Sequence, residues 1–208
     1  MQSIAIVGIH TGIGKTIISA ILAEALHADY WKPVQAGNTD ASDTMEVKRL
    51  VSNPNSLFYR EAYFFKEAIS PHAAAEKEGI QIEIEKIRLP NPLRQTIVET
   101  AGGLLSPVTS SLTNIDILLY LRLPVVLVSK NYLGSINHTM LTFDVLNKNN
   151  LEMKGIVFNG PENVASENFI LANTGLTRLL SVREEAFFDR ERIKHYARLL
   201  PIKYFTSL

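Results

Sequence analysis

The chain has 208 residues, with 21 lysines and arginines balanced by 21 aspartates and glutamates and no cysteine. Zero net charge with interspersed signs offers no basic face for nucleic acid or for an acidic membrane surface, and the missing thiols exclude disulfides, thiol chemistry and cysteine-bound zinc. Hydrophobic content of 46% and charged content of 20% fit a globular chain long enough for one sizeable domain, expected over residues 1–208.

The N-terminal "MQSIAIVGIH" has no basic region, so it does not read as a signal peptide. "SIAIVGI" reads as a buried first strand. "KTIISAILAEALHA" follows with apolar residues at Ile17, Ile18, Ile21, Leu22, Ala25 and Leu26, the helical period. "YWKPV" is expected as a second short strand stopped by Pro33, and "DASDTMEVKRLVS" as a helix started by Asp40 or Ser42. "SPHAAAEKEG" has Ser70 as N-cap, Pro71 in the first helical position and Gly79 after the end. "QTIVETAGG" is a strand entering a glycine turn, and "PVVLVSK" a continuous buried strand. "GSINHTMLTFDVLNKNN" is a long helix whose apolar stripe includes Ile136, Met140, Leu141, Phe143 and Leu146. "MKGIVFNG" is a further strand and "DRERIKHYARLLP" a terminal helix. The apolar region 115–130 is interrupted by Arg122 and Pro124 and cannot span a bilayer as a helix. A cytoplasmic enzyme or binding protein is expected.

Strands alternating with amphipathic helices predict an α/β fold, a single-domain, mostly parallel sheet flanked by helices. Ligands in such sheets sit at the carboxyl ends of the strands. The glycine loop, Lys32-Pro33, Glu99 to Gly103, Ser129-Lys130 and Asn159-Gly160 all follow predicted strands and should converge on that edge.

"GIHTGIGKT", Gly8 to Thr16, has a strand before it and a helix after it. Its backbone at Gly12, Ile13, Gly14, Lys15, Thr16 and Ile17 can wrap phosphates, Lys15 can reach the terminal ones, and the Thr16 hydroxyl can bind Mg²⁺. The usual motif has four residues between its glycines; here five separate Gly8 from Gly14. Lys32 is either a solvated charge or the holder of a second anion. Asp43 and Glu99 are the carboxylates best placed to complete a Mg²⁺ site with Thr16. Asp43 is otherwise an ordinary early-helix acid, whereas Glu99, behind the apolar "TIV", would be costly if buried and unpaired. Gly134, Ser135, Ile136 and Asn137 start the long helix, which either receives a carboxylate or is a plain N-capped helix. Asn159 either bonds a nucleobase edge or makes a turn with Gly160.

Taken in order, these pieces resemble the dethiobiotin synthetase family, a deviant branch of the phosphate-loop NTPases. That family's loop, similar to G-T-D-T-x-V-G-K-T, also has five residues between its glycines. "KPVQAG", Ser42-Asp43, Ser70 to His72, "VETAGG", "LPVVLV" and "LGSINHTMLT" resemble further family motifs, so the likeness runs over about residues 3–160. The resemblance implies an ATP- and Mg²⁺-dependent ligase. It would carboxylate 7,8-diaminononanoate with CO₂, phosphorylate the carbamate, and close the ureido ring with release of ADP and phosphate. It implies that Lys15, Lys32 and Thr11 act on the carbamate and γ-phosphoryl group, with Thr16, Asp43 and Glu99 holding Mg²⁺ and Asn159 reading adenine. Ala36 would lie against the substrate. Gly134, Ser135 and Asn137 would meet its carboxylate tail from the neighbouring subunit of a homodimer.

The chain departs from the family at four places. His10 replaces an aspartate, Gly12 a glutamate, Ala36 a hydrogen-bonding serine or threonine, and Thr100 a glycine; a β-branched Thr100 should resist positive φ in the turn. Beyond about residue 160 the resemblance fades, and "LLSVREEAFF" stands where a glycine-x-isoleucine-proline stretch is usual. Two other readings are another ATPase of the same branch and a non-catalytic nucleotide binder. Partitioning and positioning ATPases carry a second lysine early in the loop, where this chain has Ile9 and His10.

Overall fold

Strand β1 (Ile4–Gly8) is buried along its whole length, as a strand covered by helices on both faces must be. The computed structural model describes residues 2–38 and 40–205. After β1 come helix α1 (Lys15–Leu26), β2 (Asp29–Trp31), β3 (Val34–Ala36), α2 (Asp43–Leu50), β4 (Phe58–Tyr59), β5 (Tyr63–Phe65) and α3 (Pro71–Glu78). The second half runs β6 (Thr96–Gly103), α4 (Asn114–Leu121), β7 (Val125–Lys130), α5 (Ser135–Lys148), β8 (Met153–Asn159), α6 (Val164–Thr174), β9 (Arg178–Val182) and α7 (Arg190–Leu199). The main sheet has the order β4-β2-β6-β1-β7-β8-β9, and every pairing in it is parallel. The expected α/β architecture is therefore present. Among the described residues no helix is long and apolar enough to cross a membrane.

Four sequence expectations are corrected. "YWKPV" is two strands rather than one: β2 ends at Trp31, and β3 resumes beyond Pro33 in a separate two-stranded sheet with β5. Proline has no N–H to offer the ladder; its carbonyl instead accepts from the Tyr63 N–H at 3.0 Å. Strand β6 continues through "AGG" to Gly103, so Glu99 lies mid-strand rather than at its end. Thr100 needs no positive φ. That conformation falls on Gly102 (φ 77°), while Thr100 stays extended and its hydroxyl donates to the Ile6 carbonyl at 3.1 Å. The buried side of α5 is Ser135, Thr139, Thr142 and Leu146, leaving Leu141 57% exposed. Small side chains there let the helix approach β7, where the Ser129 and Thr139 hydroxyls meet at 2.9 Å.

The predicted helix starts hold. Ser42 caps α2, its hydroxyl accepting from the Met45 N–H at 3.3 Å, and Asp189 caps α7 by accepting from the Arg192 N–H at 2.8 Å. Ser70 occupies the cap of α3 without a side-chain hydrogen bond, and Gly79 ends that helix at φ 65°. Elements with no clear period in the sequence (β4, β5, α4, α6 and β9) went unpredicted; β4 and β5 are only two and three residues long.

Candidate active site

The chain crosses the sheet edge between Gly8 and Lys15 on a loop in which Gly12 and Gly14 take φ values of 72° and 90°, which residues with side chains avoid. Gly14 caps α1 without a side-chain hydrogen bond. The first N–H groups of the helix therefore remain available to an anion, and the helix dipole favours one there. Asn159, at the end of β8, donates its Nδ2 to the Ile13 carbonyl at 2.7 Å and ties the loop to the neighbouring strand end.

Lysines and oxygens converge beside this loop. Thr16 Oγ1 lies 3.0 Å from Asp43 Oδ1 and 3.0 Å from Glu99 Oε1, and its single proton can serve only one at a time. The Lys32 ammonium pairs with Asp43 and stands 3.7 Å from Glu99 Oε1. Lys15 folds back so that its ammonium donates to the His10 carbonyl at 3.1 Å. Two further residues, silent in the sequence, complete the cluster: Ser19 Oγ and Tyr30 OH donate to Glu99 Oε2 at 3.0 and 2.9 Å. Their pattern could have been found, since Ser19 is one helical turn after Thr16. Tyr30 faces Ile97 in register, two places before Glu99 on the same sheet face.

The electrostatics follow from burial. Lys15 and Lys32 are each 6% exposed. Burial pulls the Lys15 ammonium down to about 8, with Lys32 adding to the fall and Glu99 and Asp43 opposing it. Burial also pulls on Lys32, but Glu99 and Asp43 outweigh it and hold that ammonium above the ordinary lysine value. An incoming polyphosphate favours charged Lys15. Above pH 8 nucleotide binding should therefore take up close to one proton, and affinity should fall as pH rises further. Calorimetry with ADP and EDTA in buffers of different ionisation enthalpy checks this; proton release on binding would contradict it.

Thr16, Asp43 and Glu99 supply only hard oxygen donors, with a cation already drawn against both carboxylates, so these residues fit Mg²⁺. Among the described residues no group of three or more histidines or carboxylates forms a complete protein cage. A cation here would share its coordination with phosphate or water oxygens.

Most of the predicted site residues line one cleft of about 600 Å³: Thr11, Gly12, Gly14, Lys15, Thr16, Lys32, Ala36, Asp43 and Glu99. Ile13 is buried and contributes only its backbone, and Ile17 is partly buried in the core. Gly134 and Asn137 line a different groove of about 660 Å³, and Ser135 is buried with its N–H bonded to the Tyr132 carbonyl. Of the five strand-end turns, two stay out of the cleft lining: Asn159-Gly160, which meets the loop only through the Asn159 bond to Ile13, and Ser129-Lys130. Ser129 is tied to α5, and Lys130 packs along Gly160.

Comparison with known proteins adds the following. A family model described as an AAA domain matches residues 2–192. The chain is 45% identical to an ATP-dependent dethiobiotin synthetase BioD of Cytophaga hutchinsonii, over 95% of this chain and 96% of the relative. It is 42% identical to proteins of that name from Christiangramia forsetii (94% of each chain) and Chlamydia pneumoniae (95% of this chain, 88% of the relative). Among solved structures, the Pyrococcus furiosus cell division ATPase MinD superposes with a TM-score of 0.59 at 15% identity, covering 99% of this chain and all of the other. A ParA family ATPase from Chlorobium tepidum gives 0.58 at 14%, covering 98% and 92%. At such identities these two structures speak for the fold alone.

Proposed function

The chain belongs to the ATP-dependent dethiobiotin synthetase family, and on that premise we propose how its sheet-edge cluster performs the family's chemistry. The activity is that of an ATP-dependent ligase of biotin biosynthesis. We assign it 7,8-diaminononanoate and CO₂ as substrates. One amine adds to CO₂ and loses a proton, giving a carbamate. A carbamate oxygen displaces ADP from the γ-phosphorus. The second amine then attacks the carbonyl carbon, and the C–O bond to phosphate breaks as the ureido ring closes.

No step needs a protein nucleophile, so positioning and charge neutralisation carry the catalysis. Two buried ammonium groups in one cleft with the phosphate loop are the observation that carries this reading. Lys15 and the backbone from Gly12 to Ile17 hold the phosphates, Lys32 steadies the carbamate and the transferring phosphoryl group, and Thr11 orients the carbamate. Bound through Thr16, Asp43 and Glu99, magnesium would neutralise phosphate charge. With the Asn159 nitrogen engaged on Ile13, its Oδ1 would accept from the adenine amino group. Ala36 contacts the substrate by its methyl only. The reading is tested by phosphate release from Mg-ATP, expected only when bicarbonate and the diamine are both present. Release that ignored the diamine would overturn it.

Gly134 and Asn137 would serve a neighbouring subunit's substrate tail across a two-fold interface, whereas Ser135, buried with its N–H bonded to the Tyr132 carbonyl, would only fix the turn at the helix start. Support comes from exposed leucines: Leu105 is 56% exposed and Leu141 57%, and Leu133, fully exposed, lies on the groove of Gly134 and Asn137. Leu105 and Leu141 line a groove that also includes Thr11, and apolar surface of that kind marks an interaction face. Leu141→Asp should weaken dimerisation by about 100-fold, read by sedimentation velocity. An unaltered dimer would place the interface elsewhere.

A further inference from the structure

Glu99 is held differently at its two oxygens. Oε1 faces Thr16 and Lys32. Oε2 accepts two hydroxyl hydrogen bonds, from Ser19 at 3.0 Å and Tyr30 at 2.9 Å. Ser19 and Tyr30 are wholly buried, and Glu99 is 1% exposed. Water therefore cannot replace either donor without repacking.

We propose that Ser19 and Tyr30 are positioning residues that restrict Glu99 to a single metal-facing oxygen and thereby select Mg²⁺ over Ca²⁺. The inference rests on the reading of Glu99 as a metal ligand. Magnesium demands near-ideal octahedral geometry with short bonds, whereas calcium takes six to eight oxygens and accepts carboxylates through both atoms. A carboxylate whose second oxygen is occupied by two protein hydroxyls can offer only one, which suits the smaller ion and denies the larger its extra bond. The two donors also fix the plane of the carboxylate, the service that outer hydrogen bonds give metal ligands elsewhere. Their elements make them rigid. Ser19 lies in the middle of α1, and Tyr30 on β2 is paired with β6 on one side and β4 on the other.

The test uses the intact protein with ADP and bound Mn²⁺ observed by electron paramagnetic resonance, displaced by Mg²⁺ or by Ca²⁺. In Tyr30→Phe and in Ser19→Ala the Mg²⁺ dissociation constant, obtained from the displacement midpoint with the Mn²⁺ constant measured directly in the same variant, should rise about 10-fold. That for Ca²⁺ should stay within about 2-fold, because the freed oxygen restores a bond that calcium can use. Equal weakening of both ions would assign the pair a merely structural role and overturn the proposal, as would dissociation constants that do not move. Alanine is well tolerated in a helix interior, so Ser19→Ala decides the matter even if Tyr30→Phe fails to fold. A wild-type protein that binds no Mn²⁺ would instead remove Glu99 from the ligand set, a distinct failure.

Discussion

Replacement of Lys32 by alanine is expected to lower kcat by about 10³-fold, the scale on which enzymes lose rate when one preorganised charge is taken from the reacting oxygens. Lys32 opens the two-residue stretch between β2 and β3 where the chain leaves the main sheet, and its ammonium is almost completely enclosed beside Asp43 and Glu99. Few lysines are placed so. The group is too buried to be a solvation charge, and it is held protonated by two carboxylates. In the proposed reaction it would face the phosphate and carbamate oxygens. Nucleotide affinity should change by less than about 10-fold, because the loop and Lys15 carry most of the ground-state contacts. Lys32→Met, which keeps the side chain's length without its charge, should resemble alanine. A kcat within tenfold of wild type would remove Lys32 from the reacting atoms.

Gly14→Ala should cost nucleotide binding by about 100-fold or more, for two additive physical reasons. The backbone there holds φ at 90°, which side-chain-bearing residues avoid. A Cβ at this place would also fall 2.2 Å from Asn159 Nδ2, so either the loop shifts or Asn159 releases the Ile13 carbonyl. Gly12→Ala isolates the first reason. Its φ is 72°, but nothing lies within 4 Å of its Cβ. The loss there should be only about 1 kcal/mol, or roughly 5-fold in affinity. Titration of a fluorescent ATP analogue separates the two variants. Equal effects would mean that the Asn159 tether does not matter to the loop.

Where the sequence was informative, a residue type met a fixed spacing. Gly-Lys-Thr after a buried strand announced the loop. Glu99 behind an apolar run announced a carboxylate that had to be paired, and the structure pairs it with four side chains. Ser19 and Tyr30 were harder to read for the opposite reason. A serine inside a helix and a tyrosine in a buried strand have ordinary structural uses; the β2–β6 register brings Tyr30 to Glu99, and α1 brings Ser19 there one turn after Thr16. The stripe of α5 misled because its buried face is built from serine and threonine, which periodicity of apolar residues does not detect. The fold alone cannot separate this chain from MinD- and ParA-type ATPases, which it resembles at 12–17% identity. The absent loop lysine and the extra loop residue made that distinction, and the 41–45% identity to synthetases agrees with it.

The proposed phosphorylated carbamate between Lys15 and Lys32 is tested most directly by the path of one oxygen atom. With CO₂ labelled by ¹⁸O, supplied with the diamine and Mg-ATP, one labelled oxygen should leave in the inorganic phosphate and the other should stay in the ureido carbonyl. That is the outcome when the carbamate oxygen bonds to phosphorus and the C–O bond later breaks. Unlabelled phosphate, formed while dethiobiotin accumulates, would mean that water had taken the phosphoryl group and that the cleft performs a different reaction.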